Sequence, residues 1–100
     1  MNDRCIRHVL VRGRVQGVGF RAWTEHMALR RNLEGFVRNR RDGSVEAAFA
    51  GDPNEVDAMV ELCRRGPPGS HVDAIDELPA DATVLARIRP GERFSVLPTV

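Results

Sequence analysis

Short stretches of the chain alternate apolar with polar residues, which is the pattern of half-buried β-strands. In the first stretch, residues 6–11, Val9 and Val11 share one side while His8 and Leu10 share the other. We predict a strand here that ends where a run of glycines begins.

Two longer stretches have helical spacing instead. In residues 20–33, Trp23 and Met27 lie four positions apart, and Asn32 tolerates the left-handed conformation that often ends a helix. The second helix begins more clearly, with Asp52 as the N-cap, Pro53 in the first turn and Glu55 completing a capping box. Its apolar positions repeat at i, i+3, i+4 and i+7, and they are Val56, Met59, Val60 and Cys63.

Residues 35–51 (GFVRNRRDGSVEAAFAG) predict a β-hairpin. Two extended runs are joined by Asp42-Gly43, a pair that favours positive φ at both central positions of a two-residue turn. Residues 70–76 follow as a fourth strand with Val72 and Ala74 facing inward. Residues 93–97 form a short fifth strand, and residues 78–93 have no clear pattern.

The order β-α-β-β-α-β with one added strand is typical of the split βαβ, or ferredoxin-like, arrangement. We therefore predict a single domain over residues 1–100 of the α/β (α+β) class. It is a sandwich in which an antiparallel sheet of four to five strands is covered on one face by two helices. The preference for right-handed crossovers places strands one and three in the centre. The glycine loop then opens onto the start of the first helix.

Composition changes this picture little. The 100 residues are 42% hydrophobic and 29% charged, as in ordinary globular domains. No apolar run approaches the roughly 18 residues of a membrane span, and the N-terminus lacks the apolar stretch of a signal peptide, so we expect a cytoplasmic protein that binds no membrane.

Cys5 and Cys63 lack metal-ligand spacing, as do His8, His26 and His71. We predict free thiols and neither a metal nor a cofactor.

Charge is distributed unevenly along the chain. Residues 1–41 contain ten arginines and three acidic residues, whereas residues 42–100 contain five arginines and eleven acidic residues. The net charge is therefore +7 for residues 1–41 and −6 for residues 42–100. A cationic N-terminal part favours an anionic ligand.

The stretch GRVQGVGFR, Gly13 to Arg21, lies at the predicted strand-to-helix turn. Backbone N–H groups that converge ahead of a helix N-terminus favour an anion. The glycine spacing alone is equally compatible with a tight turn that binds nothing. Arg21 favours the anion, because its planar guanidinium binds two phosphate oxygens from the first turn of the helix.

Asn39 is the second candidate, in the middle of the predicted second strand. Asparagine is uncommon in strands. It can lie on the open face of the sheet as an ordinary surface residue, or its amide can hold a water molecule at a fixed angle through one donor and one acceptor.

Three stretches together, GRVQGVGFR, GFVRNRRDGSVE and FAGDPNEVDAMVELCRRGPPGSHV, resemble the acylphosphatase family over residues 6–74, and the final strand also fits. The resemblance implies an enzyme that hydrolyses the mixed anhydride of a carboxylic acid and phosphate. It also implies that Arg21 binds phosphate and that Asn39 positions water. The implied phosphate cradle consists of backbone N–H groups of Val15, Gln16, Gly17, Val18, Gly19 and Phe20. Two departures from the family pattern, Arg31-Asn32-Leu33 and Phe36, lie away from these residues.

With such a substrate the leaving group is a carboxylate, which needs no general acid. The proton of the attacking water can pass to a phosphate oxygen, so catalysis is substrate-assisted and requires no metal or cofactor. We expect a small-molecule acyl phosphate as substrate, inorganic phosphate or sulfate as competitive ligands, and a monomer.

Two alternatives remain. A ferredoxin-like sheet with a basic half can bind RNA, but RNA-recognition motifs stack bases on aromatic residues of their two central strands. This chain has no tyrosine and places non-aromatic residues on most of the open face of the sheet, so we expect no nucleic acid partner. The other alternative is a non-catalytic module that binds acyl or carbamoyl phosphate, as in the N-terminal domain of a hydrogenase-maturation carbamoyltransferase. A chain with the length of one domain favours the stand-alone enzyme.

Overall fold

Residues 4–100, which the computed structural model describes, form one five-stranded sheet, two α-helices and a 3₁₀ helix in the predicted order; residues 1–3 of the predicted domain lie outside the described part. The elements are β1 (Cys5–Arg14), α1 (Phe20–Arg30), β2 (Glu34–Asn39), β3 (Val45–Gly51), α2 (Pro53–Arg65), β4 (His71–Leu78), the 3₁₀ helix (Ala82–Arg87) and β5 (Phe94–Val96).

The strands lie in the order β4-β1-β3-β2-β5, so β1 and β3 are central as predicted. The ferredoxin-like arrangement of five strands and two helices is confirmed. One detail differs, because β5 runs parallel to β2 and the sheet is mixed rather than purely antiparallel. The chain crosses the sheet between β4 and β5 through the 3₁₀ helix, and this crossing brings β5 in along the direction of β2.

Both α-helices contribute to a core on one face of the sheet. The predicted apolar face of α2 is confirmed: Val56, Met59, Val60 and Cys63 are fully buried. Strand residues that meet them from the sheet include Val9, Val11, Val37, Val45 and Phe49. Burial raises the pKa of the Cys63 thiol to about 12, so this thiol is a neutral core side chain at physiological pH.

The β2–β3 turn differs from the predicted two-residue turn. Gly43 has a φ of +93°, but Asp42 has a negative φ. The Arg40 N–H donates to the Ser44 carbonyl, and the Gly43 N–H donates to the Arg40 carbonyl. This is a three-residue loop in which glycine alone takes the left-handed conformation. The Asp42 carboxylate stabilises the loop by accepting from the Ser44 N–H at 2.9 Å.

The inward residues of β4 were predicted incorrectly in part. Val72 packs against the core, but Ala74 is exposed and Ile75 packs inward instead. A β-bulge opposite Arg12 and Gly13 shifts the register by one residue. After a one-residue shift, the side chains of a strand exchange faces.

The first strand also continues further than predicted, through Gly13 to Arg14. A Cβ on Gly13 would lie 2.2 Å from the carbonyl oxygen of His71 on the neighbouring strand β4. The first glycine of the nonapeptide therefore permits close strand pairing and belongs to the sheet rather than to the loop.

A charged cluster occupies the sheet face that lies away from the helices. The buried Glu46 carboxylate accepts from His8 Nε2 at 2.7 Å, from Arg38 Nε at 2.9 Å and from an Arg40 terminal nitrogen at 3.1 Å. Burial alone would raise the pKa of Glu46, but the hydrogen bonds from Arg38 and His8 outweigh it and hold that pKa below its usual value. The cluster therefore keeps a charged carboxylate inside the fold.

The sheet face away from the helices is partly covered by residues 78–93, the segment for which the sequence showed no clear pattern. Val84 of the 3₁₀ helix and Leu97 pack on Phe36 and Ala48, and both Phe36 and Ala48 are fully buried. The Phe36 ring, the aromatic group that β2 places on this face, is therefore not available for stacking on a base.

We predict that Glu46→Gln lowers the free energy of unfolding by about 3 kcal/mol at pH 7, because it removes the buried carboxylate that pairs with the partly buried guanidinium groups of Arg38 and Arg40. The folded-state pKa of Glu46 is lowered, so its contribution is complete above the ordinary glutamate pKa of about 4.3 and disappears as the pH falls through the folded value. Urea unfolding from pH 7 to pH 3 measures both effects.

The matched control is Glu61→Gln, since Glu61 is exposed and pairs with Arg64 on the surface of α2. That change should leave the unfolding free energy nearly unchanged. Equal effects of the two substitutions, or a Glu46 effect that does not shrink at low pH, would contradict the stabilising role of the cluster.

Candidate active site

A cavity of about 470 Å³ opens between the glycine loop, the first turns of α1, the end of β2 and β5. It brings together Arg21 and Asn39 with most of the loop residues predicted from the sequence. The lining consists of Val15, Gln16, Gly17, Gly19, Phe20, Arg21, Ala22, Glu25, Asn39 and Val96. Val18, the remaining predicted residue, is not in this lining and packs against the core.

The loop backbone alternates in handedness. Gly17 and Gly19 have φ of +76° and +79°, whereas Gln16 and Val18 have negative φ. Such alternation turns successive N–H groups toward one point and forms an anion-binding nest. A Cβ on either glycine would meet no atom within 4 Å, so these glycines are required by the backbone conformation and not by packing within the protein.

These N–H groups have no acceptor within the described chain. Among residues 4–100, neither a backbone carbonyl nor a side chain accepts a hydrogen bond from the N–H groups of residues 16–19. Backbone donors are almost always satisfied in folded proteins, by protein groups, water or a ligand. The N–H groups of this loop are thus available to donate hydrogen bonds to water or to a ligand.

The N-terminus of α2 is capped by a side chain, whereas the N-terminus of α1 is not. Asp52 caps α2 by accepting from the N–H groups of Asn54 and Glu55, and Glu55 adds negative charge in its first turn. The N-cap of α1 is Gly19, which offers no side-chain cap, and its first turn contains no acidic residue. The partial positive charge at the start of α1 is therefore not balanced by an acidic residue in its own first turn.

Arg21 lies in that first turn and adds a full positive charge. Within residues 4–100, no carboxylate lies within 4.0 Å of its guanidinium. Arg38 and Arg40, in contrast, are both held by Glu46 on the other face. Arg21 is free to bind a ligand in the cavity.

Asn39 was predicted in the middle of the second strand, but it is the last residue of β2, where it pairs with Val45 of β3. Alternation along β2 sends Arg38 and Arg40 to the outer face, so Asn39 faces the helices and lines the cavity. The alternative that Asn39 lies on the open face is wrong. Its carbonyl also accepts from the Val100 N–H at 3.1 Å, which fixes the backbone at this point.

Sequence reasoning missed three side chains of the site. Gln16 was predicted only for its backbone, but its side-chain amide bridges the loop to the β2–β3 turn. Glu25 also lines the cavity, and its i+4 spacing from Arg21 could have revealed this. Val96 arrives from β5, and no local signal in the sequence connects it with the loop.

Two further features concern metal ligands and membrane-spanning helices. In the described residues, no group of three or more His, Cys, Asp or Glu side chains is arranged to hold a metal ion. Among the same residues, none of the helices has the length and apolar character that crossing a membrane requires.

A family model described as Acylphosphatase matches residues 7–88. The chain belongs to the acylphosphatase family. An acylphosphatase of Bradyrhizobium diazoefficiens is 62% identical over 98 residues, which cover 98% of this chain and 99% of the relative. This match extends over nearly the whole length of both proteins.

Solved structures agree with the family assignment. The crystal structure of acylphosphatase from Bacillus subtilis is 38% identical with a TM-score of 0.77, and the match covers 92% of this chain and 97% of that one. The crystal structure of T. kodakarensis HypF is 28% identical with a TM-score of 0.70, and the match covers 99% of this chain but 12% of that one. The prediction of an acylphosphatase, a hydrolase on a ferredoxin-like fold, is confirmed.

One of the two departures from the acylphosphatase pattern is accommodated at the surface. Arg31, which the sequence places where the family has an apolar residue, sends its guanidinium outward to Glu55 at 2.8 Å. Glu55, predicted to complete the capping box of α2, instead faces this arginine. The charge on Arg31 therefore does not enter the core, and it lies away from the cavity.

Proposed function

We propose that the protein hydrolyses the carboxyl–phosphate anhydride of acyl phosphates by direct attack of water. In this proposal the loop N–H groups and Arg21 hold the phosphate, and Asn39 positions the water. The main support is that three features border one cavity: a loop whose N–H groups have no acceptor among residues 4–100, a helix N-terminus without a side-chain cap, and Arg21, which has no carboxylate partner among the same residues. All of these groups are suited to a tetrahedral dianion.

The loop and Arg21 supply the charge stabilisation that phosphoryl transfer needs. Negative charge is spread over the three equatorial oxygens in the transition state, and the attacking and leaving oxygens lie in line. Fixed N–H groups stabilise this charge without reorganising. The departing carboxylate is a weak base, so no proton donor is required on its side.

Asn39 enters the cavity from the sheet, whereas the cradle enters from the loop and helix. Its amide can donate to and accept from one water molecule and so fix the direction of attack. The proton of that water passes to a phosphate oxygen as the P–O bond to water forms and the anhydride P–O bond breaks. Glu25 is the lining carboxylate, and this route does not require it as a base.

The proposal also covers cofactors, oligomeric state and cellular location. We expect the protein to act without a metal or cofactor, as a monomer in the cytoplasm, on a small-molecule substrate. Cys5 and Cys63 are both free thiols, which suits a reducing compartment. In the described part of the chain, Leu29 and Val100 are the large apolar residues that are exposed, each with less than half of its surface accessible, so little apolar surface is available for a partner.

The direct test is incubation of the purified protein with an aryl acyl phosphate in the presence of a chelator. We predict unchanged turnover with chelator, and competitive inhibition by inorganic phosphate and sulfate because the cradle recognises the tetrahedral anion. Loss of activity that a divalent ion restores would contradict metal-free hydrolysis. Tight phosphate binding without turnover would indicate the non-catalytic module instead.

Arg21→Lys keeps the charge but removes the two-pronged guanidinium. We predict a loss of about 10³-fold or more in kcat/KM together with weaker phosphate inhibition. The control is Arg30→Lys, a change at an exposed position near the end of the same helix, which should alter neither. Near-normal kinetics of the Arg21 variant would transfer phosphate recognition to another group.

Asn39→Ala separates water positioning from phosphate binding. We predict that kcat falls by about 10² or more while KM and the phosphate inhibition constant change little, because the cradle and Arg21 remain. Thermal unfolding measured on the same variant shows whether the sheet is intact. A parallel loss of turnover, phosphate binding and thermal stability would mean that Asn39 holds the structure together instead.

A further inference from the structure

We propose that the Gln16 side chain is a positioning residue, which sets the Asn39 amide at a fixed distance from the phosphate cradle. It does so by linking the glycine loop to the β2–β3 turn. This inference rests on the proposed function, and it assigns to the side chain a task separate from that of the loop N–H groups.

The link consists of two short hydrogen bonds from one nitrogen. Gln16 Nε2 donates to the Arg40 carbonyl at 2.7 Å and to the Ser44 carbonyl at 2.8 Å. Both amide hydrogens are therefore used, and a side chain with a single donor could not replace them. Arg40 and Ser44 are themselves paired at the mouth of the turn, so Gln16 holds the turn at the point where its two strands meet.

This point is directly beside the proposed water-positioning group, since Arg40 follows Asn39 in the chain. On the sheet side, β3 and Val100 already hold the Asn39 backbone. On the loop side, the N–H groups of residues 16–19 donate to no acceptor within residues 4–100. Gln16 thus connects a firmly held strand end with a loop that has few internal bonds of its own.

The expected consequence is catalytic rather than structural. Displacing a reacting group by about 1 Å can cost about 10²-fold in rate. Without the link, the loop and Asn39 can move apart while each keeps its own conformation. Phosphate binding depends on the cradle and Arg21 alone, whereas turnover depends on the distance between cradle and water.

The test is Gln16→Met, which keeps the length of the side chain and removes both donors. We expect kcat to fall by about tenfold or more, with the phosphate inhibition constant changed by less than about threefold. In an Asn39→Ala background the same substitution should change kcat by less than about twofold, because no positioned water remains to be misplaced.

Ser44→Ala is the matched control. It removes the 2.6 Å bond from the Ser44 hydroxyl to Asp42 in the same turn but leaves the carbonyl that Gln16 binds. We expect it to lower the thermal midpoint with kcat within about threefold. If Gln16→Met fails to fold, Gln16→Asn provides a second variant, since it withdraws the same amide by about 1.5 Å and should also lose turnover selectively.

Each other outcome has a definite meaning. Equal losses from Gln16→Met in the wild-type and Asn39→Ala backgrounds would overturn the proposal, as would a phosphate inhibition constant that rises as much as kcat falls. A loss of kcat in Ser44→Ala as large as that in Gln16→Met would also overturn it, because general loosening of the turn would then suffice. Absence of turnover in the wild-type protein would instead overturn the proposed function itself.

Discussion

The site depends on backbone N–H groups for which residues 4–100 supply no acceptor. Folding normally satisfies such donors, and the start of α2 shows how, through the Asp52 cap. At the start of α1 the chain has glycine in place of a capping side chain, and the preceding loop alternates φ so that its donors converge. Capping this helix with an acidic residue would stabilise it, but it would also fill the position that an anion needs. The N-terminus of α1 is thus less stable than a capped one, and it is open to an anion.

The sheet brings the two halves of the site close to each other. The loop follows central strand β1, and Asn39 ends β2, separated from β1 only by β3. Strand alternation assigns Asn39 to the helix side and its neighbours Arg38 and Arg40 to the outer side, where Glu46 holds both. The outer charged cluster therefore stabilises the backbone on each side of Asn39 without entering the cavity.

Local sequence signals predicted most of this arrangement. The hairpin and the capped helix α2 follow from short-range patterns, and the central place of β1 and β3 follows from the right-handed crossover rule. The nonapeptide marks the loop because left-handed φ at Gly17 and Gly19 requires glycine. Other features depend on contacts that are distant in sequence. The bulge beside Gly13 exposes Ala74, the parallel β5 depends on how the segment between β4 and β5 crosses the sheet, and the Gln16 bridge spans 24 residues to Arg40. The periodicity of apolar residues along the chain does not show which distant segments come into contact.

In the proposed site, one loop binds the phosphate and Asn39 faces it from the end of β2. The most direct measurement is a crystal structure of the protein soaked with inorganic phosphate at low salt. We predict one phosphate in the cavity, with oxygens about 2.7–3.1 Å from the loop N–H groups and from both prongs of Arg21. The Asn39 amide should lie on the open side of that phosphate. A phosphate bound only at other arginines, with the loop N–H groups facing solvent, would contradict this arrangement.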